Sequence, residues 1–300
     1  MPPVMRSGFS ALMQPDLYRV FVDTGEEAPV EFSEVLNVID MPYNPITDRQ
    51  ISGLSTMPTK PEGEGFTSDE PILGGTSIYT AAPFGLSIEF TWEAWRDELY
   101  GVFQEMVREL RRSSDNRLEV GAWAPFNNAT NTAFAGFTSG ESLLSTTHTG
   151  LDGVVRTNRP TVDTQFTFAA VQAAMVHYHN MTNERNLPRL MAPSLALITP
   201  SFYHDAREIL GSTSRPYSAE NELNALVPDE LAWMVCHYLT DSDAWFIIAR
   251  QGVHDVNFFV RDRPMFDMYD DPRTKNAVAT VYQRQIGGWG TWRGVYGSVV

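Results

Sequence analysis

Between Met41 and Ile72 the chain carries Pro42, Asn44-Pro45, Ser52-Gly53, Pro58, Pro61, Gly63, Gly65 and Pro71, and Gly74-Gly75 lies just beyond. Proline lacks the amide N–H and fixes φ, so no regular helix survives such a density and no central strand accommodates it. The segment reads as one long turn-rich excursion. Structureless loops beyond ~15 residues are unusual in compact domains, and are normally functional or disordered. Function is the expectation here.

The flanks carry ordinary patterns. An arm is expected over residues 1–30, then a short strand around Phe32–Ile39. Strand signals resume at Thr76–Ala82 and at Gly85–Phe90, where Leu86, Ile88 and Phe90 alternate with Gly85, Ser87 and Glu89. Thr91 sits where an N-cap would, with Glu93 in the first turn. Trp95, Leu99, Val102, Phe103, Met106 and Leu110 then recur at helical spacing, forming the apolar stripe of a helix running at least to Arg112. Trp95, Leu99, Phe103 and Met106 are its expected core face. Arg108, Arg111 and Arg112 would complement the dipole near its end.

Asn/Thr/Gly-rich text follows to Val154. Thr167 can cap a second helix through Phe168, Val171, Met175, Tyr178 and Thr182. Leu195–Thr199 reads as a buried strand and Pro200–Leu210 as a short helix closed by Gly211. Ser212–Asn224 is a polar loop. Leu231–Tyr238, Trp245–Ala249, Val256–Val260 and Ala277–Arg284 read as further strands. Helices and strands mix without regular βαβ alternation, so the fold class is α+β. No internal repeat is visible.

Charge narrows the partners. The 300 residues hold 22 basic and 37 acidic side chains, a net charge of −15. Residues 1–90 alone hold 13 acids against 4 bases. Sequence-specific nucleic-acid binding needs a dense basic face, and anionic membranes attract the same feature, so both are disfavoured. Only Lys60 and Lys275 among the basic residues are lysine. Arginine is enriched and lysine depleted where one protein covers another, which suits a subunit whose surface is mostly interface, although a GC-rich genome gives the same bias. The single cysteine, Cys236, excludes a disulfide within the chain and a Cys-based zinc cluster. No apolar run approaches the ~18 residues of a membrane span, and Met1-Pro2-Pro3-Val4-Met5-Arg6 does not resemble a signal peptide. The chain is expected to be made inside the cell.

No constellation points to chemistry. His177-Tyr178-His179 suggests a metal pair, yet residues two apart on a helix do not face each other. A metal-dependent hydrolase using His177, His179 and the acids near Asp267 is the alternative reading. Asp241-Ser242-Asp243 fits a turn. Asp262, Asp267, Asp270, Asp271 and Arg273 form a charged segment suited to pairing across an interface. Ser145-Thr146-Thr147-His148 lacks a nucleophile elbow and has no orienting acid at a recognisable spacing. Gly287-Gly288-Trp289-Gly290 has no helix after it and cannot cradle an anion. No catalytic residue, cofactor or metal is expected.

Several strings, taken in order, carry a resemblance. They are Gly53-Leu54, Pro58-Thr59-Lys60-Pro61-Glu62-Gly63-Glu64, Asp69-Glu70-Pro71, Tyr79-Thr80, Phe84-Gly85-Leu86 and Asp97-Glu98-Leu99-Tyr100-Gly101-Val102. Leu144-Ser145-Thr146-Thr147-His148, Met181-Thr182-Asn183-Glu184-Arg185, Asp241-Ser242-Asp243-Ala244-Trp245-Phe246 and Gly294-Val295-Tyr296-Gly297 continue it. Together they resemble the major capsid proteins of tailed bacteriophages, with the Hong Kong 97 phage-type capsid fold. The resemblance begins near residue 30.

That resemblance implies a modular subunit. Residues 1–30 would be the N-terminal arm and 31–90 a strand plus extended loop, with its tip at about 41–72. Residues 91–157 would be a peripheral domain with a long spine helix, 158–251 an axial domain, and 252–300 the return to the peripheral domain. The loop tip Pro58, Lys60, Pro61, Glu62, Gly63 and Glu64 would reach a neighbouring subunit. The implied assembly is an icosahedral shell of pentamers and hexamers enclosing double-stranded DNA, contacted weakly and without sequence preference. Portal and possibly decoration or scaffolding proteins would be partners. Scaffolding is expected to be a separate protein or absent, because the loop begins so near Met1. Some relatives join a loop lysine to a neighbour's asparagine. Lys60 and Asn276 are the nominal pair, but the acidic turn at Glu62 and Glu64 argues for a salt bridge instead.

Overall fold

The computed structural model describes residues 9–27, 30–91, 93, 100–134, 136, 140–214, 222–226, 231–271, 273–274 and 276–299. Two four-stranded sheets organise them. The first runs in the order β1 (Asn37–Asp40), β10 (Val256–Asp270), β11 (Ala277–Trp289) and β4 (Ala82–Phe90). β1 is parallel to β10, and the other pairs are antiparallel. Helices α1 (Phe9–Glu27) and α3 (Tyr100–Ala122) cover one face. Leu17, Phe21, Phe103, Val107 and Leu110 meet Phe90, Phe266, Met268, Ala279 and Val281 there.

Several expectations change in this layer. The stretch read as an arm contains the 19-residue helix α1, whose Leu17 and Phe21 are buried. Of the strand expected around Phe32–Ile39, the second half is β1 from Asn37, while Phe32–Val35 is a single helical turn, α2. Phe32, Val35 and Leu36 lie at i, i+3 and i+4, so only a helical turn buries all three. Trp95 and Leu99 lie outside the described residues. Phe103 is buried edge-on against Phe90 with ring centroids 4.8 Å apart, Met106 is half-buried, and Val102 faces solvent.

The helix runs ten residues past Arg112, through Ser113-Ser114-Asp115-Asn116. Strand β11 supplies the reason. Ser114 Oγ donates to Gln283 Oε1 (2.9 Å), Gln283 Nε2 donates to the Ser114 carbonyl (3.1 Å), and Gln285 Nε2 donates to the Arg117 carbonyl (2.8 Å). Arg108, Arg111 and Arg112 are therefore mid-helix and pair with Glu105, Asp115 and Glu109 rather than with the helix end.

The second sheet runs β12 (Val295–Ser298), β9 (Trp245–Ala249), β7 (Pro193–Ile198) and β8 (Ala232–Val235). All five residues of β9 are buried, because Phe246 and Ile248 enter one core while Trp245, Ile247 and Ala249 enter another. The second of these cores is closed by α5 (Phe168–His179) and α6 (Tyr203–Gly211). Thr167 caps α5, accepting from the Ala170 N–H, while Thr182 lies beyond the helix in an isolated bridge. The other core joins the two sheets through Trp123, Phe126, Leu197, Phe258 and Trp289, with the short helix α4 (Ala124–Asn127) at its edge.

Two glycines permit that junction. A Cβ on Gly287 would lie 2.4 Å from the Gly121 carbonyl oxygen, and one on Gly288 would lie 2.5 Å from the Tyr79 ring. Phe103→Ala should remove the aromatic contact under α3 and cost about 3–5 kcal/mol. A lower urea midpoint at unchanged m-value, measured on unassembled subunits, would register it.

Candidate functional site

The excursion resolves into a ribbon and a tip. β2 (Ile46–Ile51) pairs antiparallel with β3 (Leu73–Tyr79), so the first part of the stretch read as turns is a strand. The Ser52 N–H donates to the Ile72 carbonyl (2.9 Å) and the Ile72 N–H to Ser52 Oγ (2.8 Å), closing the ribbon. Residues 53–72 then carry no regular structure apart from a turn in which the Glu64 N–H donates to Pro61 and Gly63 takes φ +83°. Pro58, Lys60, Pro61, Glu62, Gly63 and Glu64 are all exposed there. Met57 and Phe66 are each 91% exposed, and Lys60 Nζ lies 5.0 Å from the Phe66 ring centroid.

The base of the ribbon is fixed by two different means. At the body end, Tyr79 packs on Phe259 and donates its hydroxyl to the Trp289 carbonyl at 2.8 Å. Burial raises the Tyr79 pKa, so this hydroxyl stays protonated as a donor. Further out the attachment is polar. Glu184, nearly buried, accepts from Gln50 Nε2 of β2 (2.9 Å) and from the Leu151 N–H (2.9 Å), and it is ion-paired with buried Arg293. Arg293 Nε also donates to the Thr182 carbonyl at 2.9 Å. Next to it, Arg185 donates to the carbonyls of Glu70 (2.6 Å) and Gly53 (3.3 Å), gripping both sides of the loop. Asp69 accepts from the Ser55 N–H and hydroxyl, which together with nearby Arg185 hold its carboxyl below the usual range.

Glu184, Arg185, Gln50 and Arg293 were not singled out from the sequence as functional residues. Glu184 and Arg185 stand within one of the strings that carry the resemblance, and that was the available signal. The acids grouped with Arg273 do not converge. Asp262 lies 3.6 Å from Arg284, exposed Asp267 accepts from the Met268 N–H, and Asp270 ends β10. Asp271 shapes the β10–β11 turn by accepting from the Arg273 N–H (2.8 Å) and the Thr274 hydroxyl (3.0 Å). These contacts hold its carboxyl below the usual range.

The two histidines of the hydrolase reading point apart. His177 is packed against Tyr296 of the second sheet, with ring centroids 4.9 Å apart, and its Nε2 has no hydrogen-bond partner among the described residues. His179 is exposed, and Asp267 belongs to the first sheet. Among the described residues, no group of three or more His, Cys, Asp or Glu is placed to hold a metal ion. His148 is likewise a core residue, stacked on Trp292 at 4.4 Å and hydrogen-bonded to Glu141 and Asn158. Asp241 forms the expected turn by accepting from the Asp243 N–H at 3.0 Å.

Solved structures share this architecture. The Microbacterium phage Oxtober96 structure superposes with a TM-score of 0.58 at 8% identity, covering 91% of this chain and 91% of that one. A virus-like particle from Pyrococcus furiosus gives 0.54 at 9% identity, covering 95% and 98%. The mature capsid of bacteriophage PhiM1 gives 0.54 at 9% identity, covering 90% and 86%. The fold is thus the α+β, Hong Kong 97 phage-type fold of tailed-phage capsids.

Residues 74–298 match the family model for phage capsid protein, and the chain belongs to that family. It is a capsid shell protein, a structural component of the virion and not an enzyme. No curated protein sequence matches it.

Burial pushes the His177 pKa down to about 4, so the native state holds it neutral while the unfolded chain protonates it near 6.5. The unfolded state therefore binds more protons between these values, and stability is lost as pH falls from 6.5 toward 4. His177→Gln should flatten that part of the stability–pH curve by on the order of 3 kcal/mol, measured by urea unfolding at pH 7 and pH 4.5.

Proposed function

We propose that copies of this subunit close into pentamers and hexamers of an icosahedral shell around phage double-stranded DNA, with the β2–β3 ribbon clasping a neighbouring subunit. The observation that carries this is the ribbon itself. Its base is bound to the body by Tyr79, Glu184, Arg185 and Arg293, yet its tip presents Met57 and Phe66 almost wholly to solvent. Large apolar side chains held out on a fixed arm are a contact surface for another protein.

On this reading residues 1–30 serve as the N-terminal arm, here largely helical, and the tip lies within residues 41–72. Helix α3 is the spine of a peripheral domain over 91–157, to which 252–300 return. Residues 158–251, with most of the second sheet, form the axial domain facing the centre of a pentamer or hexamer. Asp262, Asp267, Asp270, Asp271 and Arg273 lie along β10 and its turn, where they can meet a neighbour's charges. The net charge of −15 keeps contact with packaged DNA weak and independent of sequence, as a genome that must slide requires. Portal and possibly decoration or scaffolding proteins complete the partners, and assembly takes place in the cytoplasm of a bacterial host.

Deleting Met57–Gly65 should leave the circular dichroism spectrum and monomer solubility unchanged while abolishing stable particles in negative-stain images. Particles that form and resist heat like the parent would overturn the clasp.

Lys60 and Asn276 are expected to stay unlinked. Asn276 Nδ2 donates to Glu89 at 2.8 Å, and Lys60 sits exposed in an acidic turn between Pro58 and Glu64. Boiled particles should run as a single monomer band on a denaturing gel. A ladder that disappears in Lys60→Ala would contradict this.

A further inference from the structure

The string Ser145-Thr146-Thr147-His148 leads into a short hairpin of β5 (His148–Thr149) and β6 (Val155–Arg156). His148 is completely buried, and both of its ring nitrogens meet acceptors, Asn158 Oδ1 and Glu141 Oε2, each at 3.0 Å. The Asn158 amide satisfies its surroundings in one orientation only. Its Nδ2 donates to the carbonyls of Leu143 (2.7 Å) and Val295 (3.1 Å), and its Oδ1 accepts from the Ser145 N–H (2.9 Å). A flipped amide would set oxygen against two carbonyls and nitrogen against an N–H. His148 Nε2 is therefore a donor, and in a neutral ring Nδ1 is then a bare lone pair. Glu141 presents Oε2 to that lone pair while its Oε1 accepts from the Thr149 N–H at 2.9 Å. Two bare acceptors 3.0 Å apart repel, so a further proton lies between Nδ1 and Oε2.

Burial favours keeping that proton. Desolvation pushes the imidazole pKa down, while the Glu141 and Asn158 contacts push it up. For the two groups together the balance is simpler. With the proton the pair carries no net charge, and without it an uncompensated carboxylate remains on a side chain only 16% exposed. The charged groups on neighbouring elements are neutralised elsewhere. Arg156, the cross-strand partner of His148, is bonded to Asp152, and Arg293, over the Trp292 ring, is ion-paired with Glu184.

The pair stands at the root of a brace. Asn158 ties this segment to the edge strand β12 through the Val295 carbonyl, and the His148 ring is stacked on Trp292. At the other end of the hairpin the Leu151 N–H donates to Glu184, the carboxylate that anchors the loop ribbon. A Cβ on Gly74 of β3 would lie 3.1 Å from Leu151 Cδ1, so this leucine also lies directly against the ribbon.

We infer that Glu141 and His148 hold one buried proton between them and form a pH-sensitive latch, which fastens the β5–β6 hairpin to β12 and Trp292 and, through Leu151, steadies the base of the β2–β3 ribbon. The unfolded chain binds this proton only below the ordinary histidine value near 6.5. Above that value the native state holds a proton that the unfolded state lacks. Stability therefore falls as pH rises, by up to about tenfold in the folding constant per pH unit, until the pair itself lets go.

Glu141→Gln tests this, because its amide can accept from Thr149 and donate to Nδ1 of a neutral ring without any added proton. Urea unfolding of full-length, unassembled subunits between pH 7 and pH 8.5 should show the parent's folding constant dropping about tenfold or more. The variant's should change by less than about threefold over the same range. Equal slopes overturn the shared proton. If Glu141→Gln does not fold, the parent alone decides: calorimetric unfolding at pH 7.5 in buffers of different ionisation enthalpy should show about one proton released per subunit. No release overturns the inference. Hydrogen exchange, corrected for its intrinsic pH dependence, reads the reach of the latch. Between pH 7 and pH 8.5 the parent should lose protection in peptides spanning 148–156 and 46–51, and Glu141→Gln should not. Unchanged protection in the ribbon overturns its coupling to the pair.

Discussion

Gly287 and Gly288 let three elements share a few ångströms of β11. The last turn of α3 presses on Gly287, the ring of Tyr79 lies over Gly288, and Trp289 fills the core between the two sheets. Just upstream, Gln283 and Gln285 hold the polar middle of α3 to the same strand. The helix, the loop ribbon and the junction of the sheets thus take their positions from one strand that is glycine where contact is closest. A Cβ at either glycine would displace backbone or ring, and the error would propagate to the outstretched loop.

The loop is held by chemistry unlike that of its tip. At the base, a nearly buried carboxylate is shared among Gln50, the Leu151 N–H and Arg293, and Arg185 grips main-chain carbonyls. Buried ion pairs contribute little net stability, because desolvation offsets their attraction, but they tolerate few alternative geometries. A directional anchor of this kind sets the angle at which the ribbon leaves the body. The tip is left apolar and mixed in charge, suited to gaining energy only when a partner covers it. This division fits a shell subunit, which must be stable alone and adhesive at a few defined places.

Much of this was legible in local pattern. The part of the α3 stripe from Phe103 through Met106 to Leu110, the Thr167 cap of α5 and the continuous apolar run Trp245–Ala249 each reflect one element meeting one environment, and each lies where the sequence puts it, whereas Val102 of the same stripe turns to solvent. Expectations failed where distant residues decide. Phe32–Val35 resembles a strand until Leu36 is seen to share its core, and Arg108, Arg111 and Arg112 suit a helix end until the glutamines of β11 are seen to hold the helix on to Ala122. β10 reaches Asp270 through Arg261-Asp262-Arg263-Pro264 because irregular pairing there accommodates charge and proline.

By itself, then, the sequence determined the elements with strong periodicity, the exposed proline- and glycine-rich loop, and, through ordered strings spread along the chain, the capsid family. Those features are written in short-range spacing and in residue types that restrict their own backbone. Tertiary structure alone decided that Glu184 and Arg293, 109 residues apart, share one buried site, that α3 continues to Ala122, and that Leu86 is left open at a sheet edge. Each of these depends on which partner arrives from far along the chain. The energy of a buried charge or a half-covered leucine is set by that partner, and no local pattern encodes it.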